Sequence, residues 1–203
     1  MLDVLIIGGG VSGVSCALVL GSAHKKAFAQ DKTISIITHQ KASSLQDAVF
    51  FNAYGIESGK LGADLLAETT QQLQNNYPHI TQVPEEKVIK VALMNGGGFE
   101  VITNKSTYNT KVIVVGIGSS NLFDIEGLKQ YLEPHRKSLP EKNRIQLKNN
   151  DHLVAEGIYV IGTLAGHRSQ LDIAAGSGAA VATDILTLWN GGTETHSHDS
   201  VRK

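Results

Sequence analysis

Apolar residues follow two patterns along the chain, and the first consists of short runs in which nearly every position is apolar. Residues 3–7, 112–115 and 158–161 are runs of this kind. Such runs are typical of strands that are buried on both faces of a parallel sheet. Residues 32–38 add a fourth strand rich in β-branched side chains, so the pattern predicts a parallel core sheet.

The second pattern is the helical spacing of apolar residues. It begins at Val11, directly after the first strand, and recurs over residues 61–73 and 173–188. Residues 87–108 predict a small antiparallel meander, whose strands are joined through a glycine-rich turn at residues 95–98. The chain therefore alternates strands with helices and adds a meander at the side.

This alternation predicts the α/β class, with a parallel core sheet and an antiparallel β-meander. Residues 1–190 are predicted to form a single domain, because no repeat and no interior linker divides them. Within them, residues 127–147 are a polar connector with a short amphipathic segment. Residues 191–203 are a polar tail that we predict to be disordered.

Composition narrows the class of protein further. The 203 residues are 41% hydrophobic and 18% charged, which suits a globular core. The net charge of -1 provides no general attraction to nucleic acid or to an anionic membrane surface. No apolar run approaches the ~18 residues of a membrane span. No basic leader precedes the first strand, so we expect a cytoplasmic protein.

The 21 glycines are clustered, and the first cluster indicates chemistry. Residues 8–13 read Gly-Gly-Gly-Val-Ser-Gly, a GxGxxG pattern that follows a buried strand and opens a helix. In this pattern Gly8 permits a tight turn, Gly10 lets the backbone approach a pyrophosphate, and Gly13 lets the helix pack close to the sheet. Free N–H groups at the helix start would hold the phosphate charge. The segment predicts a dinucleotide site.

One usual mark of an NAD site is absent. An acidic residue at the end of the second strand normally binds the adenosine ribose, but Thr38 and His39 stand there. The nearby acid, Asp31, precedes the strand. His39 and Lys41 would suit the 2′-phosphate of NADP, whereas a solvent-exposed loop is the alternative. The residues alone leave the dinucleotide open.

Five segments of the chain follow the order of one known family. They are the glycine turn at 8–13, Phe-Asn-Ala-Tyr-Gly at 51–55, the helical segment at 61–74, Val-Ile-Val-Val-Gly-Ile-Gly at 112–118, and a closing segment at 157–180 with Gly-Ile-Tyr-Val-Ile-Gly-Thr, Ser-Gln and Ala-Ala-Gly-Ser-Gly-Ala-Ala. Together they span roughly residues 3–188 and resemble the low-molecular-weight thioredoxin reductases and related pyridine nucleotide-disulfide oxidoreductases. The resemblance implies a Rossmann-like FAD-binding domain.

The resemblance also implies where FAD would be held, position by position. The implied cofactor-binding residues are Gly8, Gly10, Val11, Ser12 and Gly13 at the pyrophosphate, Thr38 and His39 at the adenosine ribose, Lys87 and Val88 at the adenine, Asn52, Gln170 and Leu171 at the isoalloxazine, Gly162 and Thr163 at the ribityl chain, and Gly116 and Gly118 after the strand at 112–115. Gly176 would let the last helix start close to the flavin.

The chain also departs from the family pattern. The aspartate of the closing segment is Thr163, and residues 41–43 replace a Gly-Gly-Gln. About forty residues separate the strands at 112–115 and 158–161, whereas one βαβ unit alone needs about 30 and a nucleotide-binding half needs more. The family's NADPH domain and its CxxC pair are therefore missing, and the chain resembles the FAD half alone.

Two single residues raise further possibilities. Cys16, the one cysteine, is predicted to pack on the first helix, because a reactive thiol needs an exposed, electropositive setting. His167 is either an acid/base that faces the flavin or a solvated loop residue. The His and Asp residues at 196–199 are expected to be an uninvolved tail. The sequence does not identify the catalytic residues, and we predict no metal site.

The resemblance implies an FAD-dependent oxidoreductase without disulfide chemistry, which exchanges electrons with a separate donor or acceptor such as a reductase or a small molecule. Two alternatives remain: a non-catalytic module that binds FAD or a partner, and a protein that binds NAD(P) through its N-terminal glycines. The surface left by the absent domain is open to a partner or to a second copy of the chain in a homodimer.

Overall fold

The computed structural model describes residues 1–38 and 43–198. The α-helices in these ranges are α1 (Val11–Ser22), α2 (Gly62–Asn76) and α3 (Leu171–Trp189). The strands in these ranges are β1 (Leu2–Ile7), β2 (Ile34–Ile37), β3 (Val49–Phe50), β4 (Lys60–Leu61), β5 (Thr81–Val83), β6 (Val88–Leu93), β7 (Phe99–Thr103), β8 (Thr107–Val115), β9 (Leu132–Pro134), β10 (Ile145–Leu147), β11 (Leu153–Ala155) and β12 (Ile158–Val160).

The main sheet is parallel over most of its width. Its strand order is β11-β12-β8-β1-β2-β5, and only the pairing of β11 with β12 along this path is antiparallel. β6 and β7 form an antiparallel meander that joins the sheet through β8. The predicted α/β class, with a parallel core sheet and a side meander, is therefore confirmed.

The central strand β8 is longer than the sequence pattern predicted. Its first half pairs with β7, and its second half, Val112 to Val115, pairs with β1 and β12. Only the second half is apolar at every position, because only there do both faces of the sheet lie in the core. The run at 112–115 is thus the buried end of a nine-residue strand.

The buried strands separate two apolar layers. On β1, Val4 and Ile6 face the layer that contains α1 and α3, whereas Leu5 and Ile7 face the layer beneath the meander. All four side chains are fully buried. Burial on both faces explains the unbroken apolar run at 4–7, which follows Asp3.

Helix α3 is long and apolar enough to cross a membrane by length and composition. In this fold its inner face is buried, with Val181, Ala182, Ile185 and Leu186 in the layer shared with α1 and the sheet. Packing against the sheet therefore accounts for its apolar composition.

The connector differs from its prediction. Its amphipathic segment is a short 3-10 turn at Lys129–Tyr131 followed by β9, which pairs with β10 in an antiparallel hairpin. Three-residue strands are too short to show a clear alternation, so the pattern could not distinguish them. In the tail, Ser22 and Ser197 share a hydrogen bond of 2.8 Å. Residues 199–203 lie outside the described ranges, and the predicted disorder of the tail stays a prediction.

Candidate cofactor site

The turn between β1 and α1 lies at the carboxyl edge of the parallel sheet, where ligands bind in open α/β folds. Gly8 has a φ of +118°, and a Cβ there would overlap the carbonyl group of Gly116. A Cβ on Gly13 would overlap the carbonyl oxygen of Gly8. These close approaches agree with the roles predicted for Gly8 in the turn and for Gly13 in helix packing.

Gly10 differs from its neighbours because its side-chain space is open. It caps α1 with an extended backbone, φ -77° and ψ -177°, which any residue adopts. Among the residues that the structure describes, the group nearest to a Cβ there would be the Ser43 hydroxyl, at 3.7 Å. The N–H of Val14 donates to the Gly10 carbonyl over 3.0 Å, as the first bond inside the helix. The N–H groups of residues 11–13 therefore have no carbonyl within the helix and are directed toward this open space.

Ser12 lies where three elements of the carboxyl edge meet. It is buried, and its hydroxyl oxygen is 2.8 Å from where a Cβ on Gly162 would stand and 3.1 Å from one on Gly116. The N–H of Gly162 donates to the Ser177 hydroxyl over 2.8 Å. A Cβ on Gly178 would overlap the Ser12 carbonyl. The predicted residues Ser12, Gly116 and Gly162 are thus brought together. Helix α3 holds them there through Ser177 and Gly178 of the closing segment, for which the sequence predicted no such contacts.

Thr38 borders the same turn from the side of β2. A Cβ on Gly9 would lie 2.7 Å from the Thr38 Cα. The N–H of Thr38 donates to the Val83 carbonyl over 3.0 Å, which ties the end of β2 to β5. Thr38 therefore lies beside the glycine turn, while its predicted neighbour His39, like Lys41, lies outside the described residues.

Two further predicted glycines resemble Gly10 in being open. Gly118 follows β8 with a φ of +79°, and Gly176 lies on the exposed side of α3. No described atom lies within 4 Å of a Cβ on either residue. Neither glycine is therefore explained by packing within the chain.

The predicted isoalloxazine residues lie on two adjoining segments. Gln170 caps α3 and is exposed, and Leu171 is the first residue of that helix. Asn52 is exposed on the loop after β3. Two residues further along this loop, the N–H of Tyr54 donates to Asp172 over 3.3 Å. This contact brings the Asn52 loop to the first turn of α3.

Thr163 is held by the connector, a contact that sequence reasoning missed. It lies in the 3-10 turn Gly162–Ala165 after β12. The buried His135 has its Nε2 at 3.0 Å from the Thr163 carbonyl, and Arg136 donates through Nη2 to the Ala165 carbonyl over 3.1 Å. No local pattern signals such bonds, because they join side chains of one segment to the main chain of another.

Lys87 and Val88 lie at the start of the meander. Main-chain groups of Lys87 already bond to Asn104: its N–H donates to the side-chain oxygen over 2.8 Å, and its carbonyl accepts from the N–H over 2.9 Å. Val88 is fully buried. The adenine contact implied for this pair stays a prediction.

A model of the pyridine nucleotide-disulphide oxidoreductase family matches residues 2–167, which include the glycine turn, β8 and the turn after β12. The chain belongs to this family. A ferredoxin–NADP reductase 2 from Listeria welshimeri is 26% identical over 152 residues, covering 75% of this chain and 42% of that relative. The chain therefore spans less than half of the length of the curated relative that it matches.

Solved structures of this fold include several thioredoxin reductases. The atypical thioredoxin reductase TRi from Desulfovibrio vulgaris Hildenborough has a TM-score of 0.69 at 13% identity, covering 94% of this chain and 99% of that one. A thioredoxin reductase from Gloeobacter violaceus has a TM-score of 0.69 at 14% identity, covering 98% and 97%. An oxidoreductase from Agrobacterium tumefaciens has a TM-score of 0.68 at 15% identity, covering 92% and 98%. At these identities the likeness shows the fold, which is thioredoxin reductase-like.

This member of the pyridine nucleotide-disulphide oxidoreductase family has one cysteine and no CxxC pair. Cys16 is fully buried on α1, and its main-chain N is 3.0 Å from where a Cβ on Gly178 would stand. Burial raises the pKa of the Cys16 thiol far above its usual range. The prediction that Cys16 is a packing residue is confirmed.

His167 bonds to another histidine. Its Nε2 is 3.4 Å from the Nε2 of His152, whose Nδ1 is 2.8 Å from the Val160 carbonyl. Burial lowers the pKa of His167, and the charges of His152, Lys137 and Arg136 lower it further. His167 is thus half-buried against His152, and the acid/base role considered for it stays a prediction. Among the described residues, no group of three or more His, Cys, Asp or Glu side chains could hold a metal ion.

Proposed function

We propose that this family member binds FAD along the carboxyl edge of its parallel sheet and exchanges electrons with a separate donor or acceptor. The observation that carries the proposal is the contrast within the glycine turn. Gly8 and Gly13 are closed by the chain's own main-chain groups, whereas Gly10 faces open space at the start of α1. A glycine that packing does not require, set before free helix N–H groups, suits a pyrophosphate.

The residues present suit the pyrophosphate, ribityl and isoalloxazine parts of FAD. The N–H groups of residues 11–13 would hold the pyrophosphate, and the turn that contains Gly162 and Thr163 would border the ribityl chain. Asn52 and Gln170 are exposed polar side chains that would bond to the edge of the isoalloxazine. Bound FAD supplies the two-electron chemistry, and the chain's own residues orient the ring and neutralise the phosphate charge.

The donor is proposed to be separate because the chain offers one dinucleotide turn. Between β8 and β12, the described structure consists of a 3-10 turn, the β9–β10 hairpin and the edge strand β11. This stretch is too short for a second nucleotide-binding half. A protein that binds FAD without turnover is the competing function, and reduction of the bound flavin distinguishes the two.

Substitution of Gly10 tests the proposal without disturbing the fold. Gly10→Val should abolish FAD binding, because the new side chain occupies the space of the pyrophosphate, while unfolding by urea stays unchanged. Gly96→Val is the matched control, since Gly96 is also open but lies in the β6–β7 turn. FAD is measured by denaturing the protein and identifying the released nucleotide. A native chain that stays colourless after soaking in excess FAD, or a Gly10→Val chain that keeps its flavin, would overturn the proposal.

A further inference from the structure

The tip of the β9–β10 hairpin has an unusual charge. Residues 135–144, the hairpin tip, contain four cations and one acid, in a chain whose net charge is -1. The four cations, all exposed, are Arg136, Lys137, Lys142 and Arg144. None of them forms an ion pair with an acid among the described residues.

Lysines elsewhere in the described structure are mostly paired. Ion pairs join Lys32 and Lys111 to Asp3, Lys60 to Glu68, Lys87 to Asp124, Lys90 to Glu126, and Lys105 to Glu85. The cations of the hairpin tip therefore differ from these six lysines, each of which has an acidic partner. Like charges held together without counter-charges repel each other, and a partner of opposite charge relieves that repulsion.

One of these cations, Arg144, lines a largely apolar depression together with the acid Glu133. A cavity of about 450 Å³ opens at the hairpin, and its apolar lining is Leu132, Pro134, Leu139, Pro140 and Ile145. Leu139 is 58% exposed at its rim. An apolar centre with a charged rim is the usual arrangement of a protein–protein interface.

The hairpin tip is attached to the candidate cofactor site. His135 and Arg136 bond to the carbonyls of Thr163 and Ala165, in the turn that would border the ribityl chain. Arg136 also donates through Nε to the amide oxygen of Gln146 over 3.2 Å, so these partners are neutral and leave its charge uncompensated. A protein seated on the hairpin tip would lie next to the cofactor turn.

We propose that the hairpin tip is the docking surface for a small electron-carrier protein with an acidic face. The inference rests on the proposed function, because the separate donor or acceptor is the molecule that would dock. Four exposed cations on a hairpin tip that also holds an apolar depression favour a protein over nucleic acid, whose binding depends on a larger number of phosphate contacts. Charge complementarity of this kind sets the association rate and its dependence on salt.

Binding of a plant-type [2Fe–2S] ferredoxin, an acidic carrier, to the full FAD-treated chain tests the docking surface. In low salt, Lys142→Glu/Arg144→Glu should weaken ferredoxin binding at least about tenfold, because the hairpin tip then repels an acidic face. Lys25→Glu/Lys26→Glu is the matched control, with the same change in net charge after the far end of α1, and should change binding less than about twofold. Ferredoxin binding by the two double variants is compared again at about 1 M salt, where the difference in affinity between them should vanish.

Three outcomes would overturn the docking surface. They are a native chain that does not bind ferredoxin in low salt, equal weakening by the two double variants, and tighter binding of transfer RNA or phosphatidylserine vesicles than of ferredoxin. FAD content is measured on the same samples. A chain that docks ferredoxin but holds no FAD contradicts the proposed function alone, and a chain that holds FAD but docks nothing contradicts the docking surface alone.

Discussion

The contact of the β1–α1 turn with α3 and the contact of the connector with the cofactor turn are built in different ways. In the first, main chains touch: Gly13 meets the Gly8 carbonyl, and Gly178 meets the Ser12 carbonyl. In the second, the side chains of His135 and Arg136 reach carbonyl oxygens across the fold. The first contact requires glycines, which have no side chain, and the second requires particular polar side chains.

This difference indicates that the two regions have different functions. The region of close main chains leaves free N–H groups and open space, which suits a cofactor that brings its own charge and shape. The connector presents exposed cations and an apolar depression. We therefore propose that the first region binds the cofactor and that the second region contacts a partner.

The largest expected effect concerns nicotinamide nucleotides. NADPH or NADH alone should reduce the bound flavin slowly, because hydride transfer needs the nicotinamide held against the ring, and such positioning can be worth ~7–11 kcal/mol. Anaerobic mixing with each nucleotide, with dithionite as the control for full reduction, measures the rate. Saturable reduction near 10 per second, typical of enzymes, would mean that the chain holds a second nucleotide site. The first candidates for it would then be His39, Lys41 and the loop with Lys25 and Lys26.

The close main-chain contact should be destroyed by a single methyl group. Gly13→Ala should destabilise the protein by roughly 3 kcal/mol or more, because the new Cβ overlaps the Gly8 carbonyl. The sign of this change in the free energy of unfolding is informative, because Gly→Ala inside a helix otherwise stabilises a protein by roughly 0.5–1 kcal/mol. Urea unfolding measures the change, with Gly96→Ala as the control at an open position. An unchanged midpoint for Gly13→Ala would contradict the described packing of α1 on β1.

The first region could be predicted from the sequence because a close approach of two main chains requires a glycine, and a glycine is visible in the sequence. Gly8 and Gly13 occur at fixed spacing behind an apolar strand, so the turn, the helix start and the parallel sheet followed from pattern alone. Family resemblance added Gly116 and Gly162, which the structure brings to Ser12. Ser177 and Gly178 belong to the closing segment, yet their contacts with Gly162 and Ser12 needed the fold.

The second region could not be predicted because its bonds carry no local signature. His135 lies 28 positions from the carbonyl that it contacts, and nothing in the sequence around it marks that distance. The strands β9 and β10 are three residues each, below the length at which alternation is visible. The sequence shows the four cations of the hairpin tip. Only the folded structure shows that none of them forms an ion pair with an acid among the described residues.

A moderate effect is expected at His135. His135→Ala should weaken FAD binding about tenfold, or about 1.4 kcal/mol, because the Thr163 carbonyl loses its donor and the cofactor turn is no longer fixed. His135→Gln keeps a donor and should recover part of the affinity, as well as the visible spectrum of the bound flavin. Ser138→Ala, in the same hairpin tip, is the control. Equal FAD affinity in all three variants would show that the connector only supports the fold.

The smallest expected effect concerns Cys16, which tests whether the first region holds any redox thiol. Cys16→Ala should keep its flavin and its reduction by dithionite, at a packing cost of about 1 kcal/mol. Cys16→Ser should cost more, because it buries a hydroxyl among apolar groups of α1 and α3.

The thiol itself gives an independent measurement. Because burial raises the pKa of the Cys16 thiol, the folded protein should stay unmodified by iodoacetamide at pH 8 to 9, where an ordinary thiol near its pKa of about 8.5 reacts readily. The same protein in denaturant should be alkylated fully, which serves as the control. A folded, flavin-loaded Cys16→Ala chain that dithionite no longer reduces would make Cys16 a redox group. Rapid alkylation of the native chain would instead show that α1 and α3 separate in solution. The contact of the β1–α1 turn with α3 would then be mobile instead of closely packed.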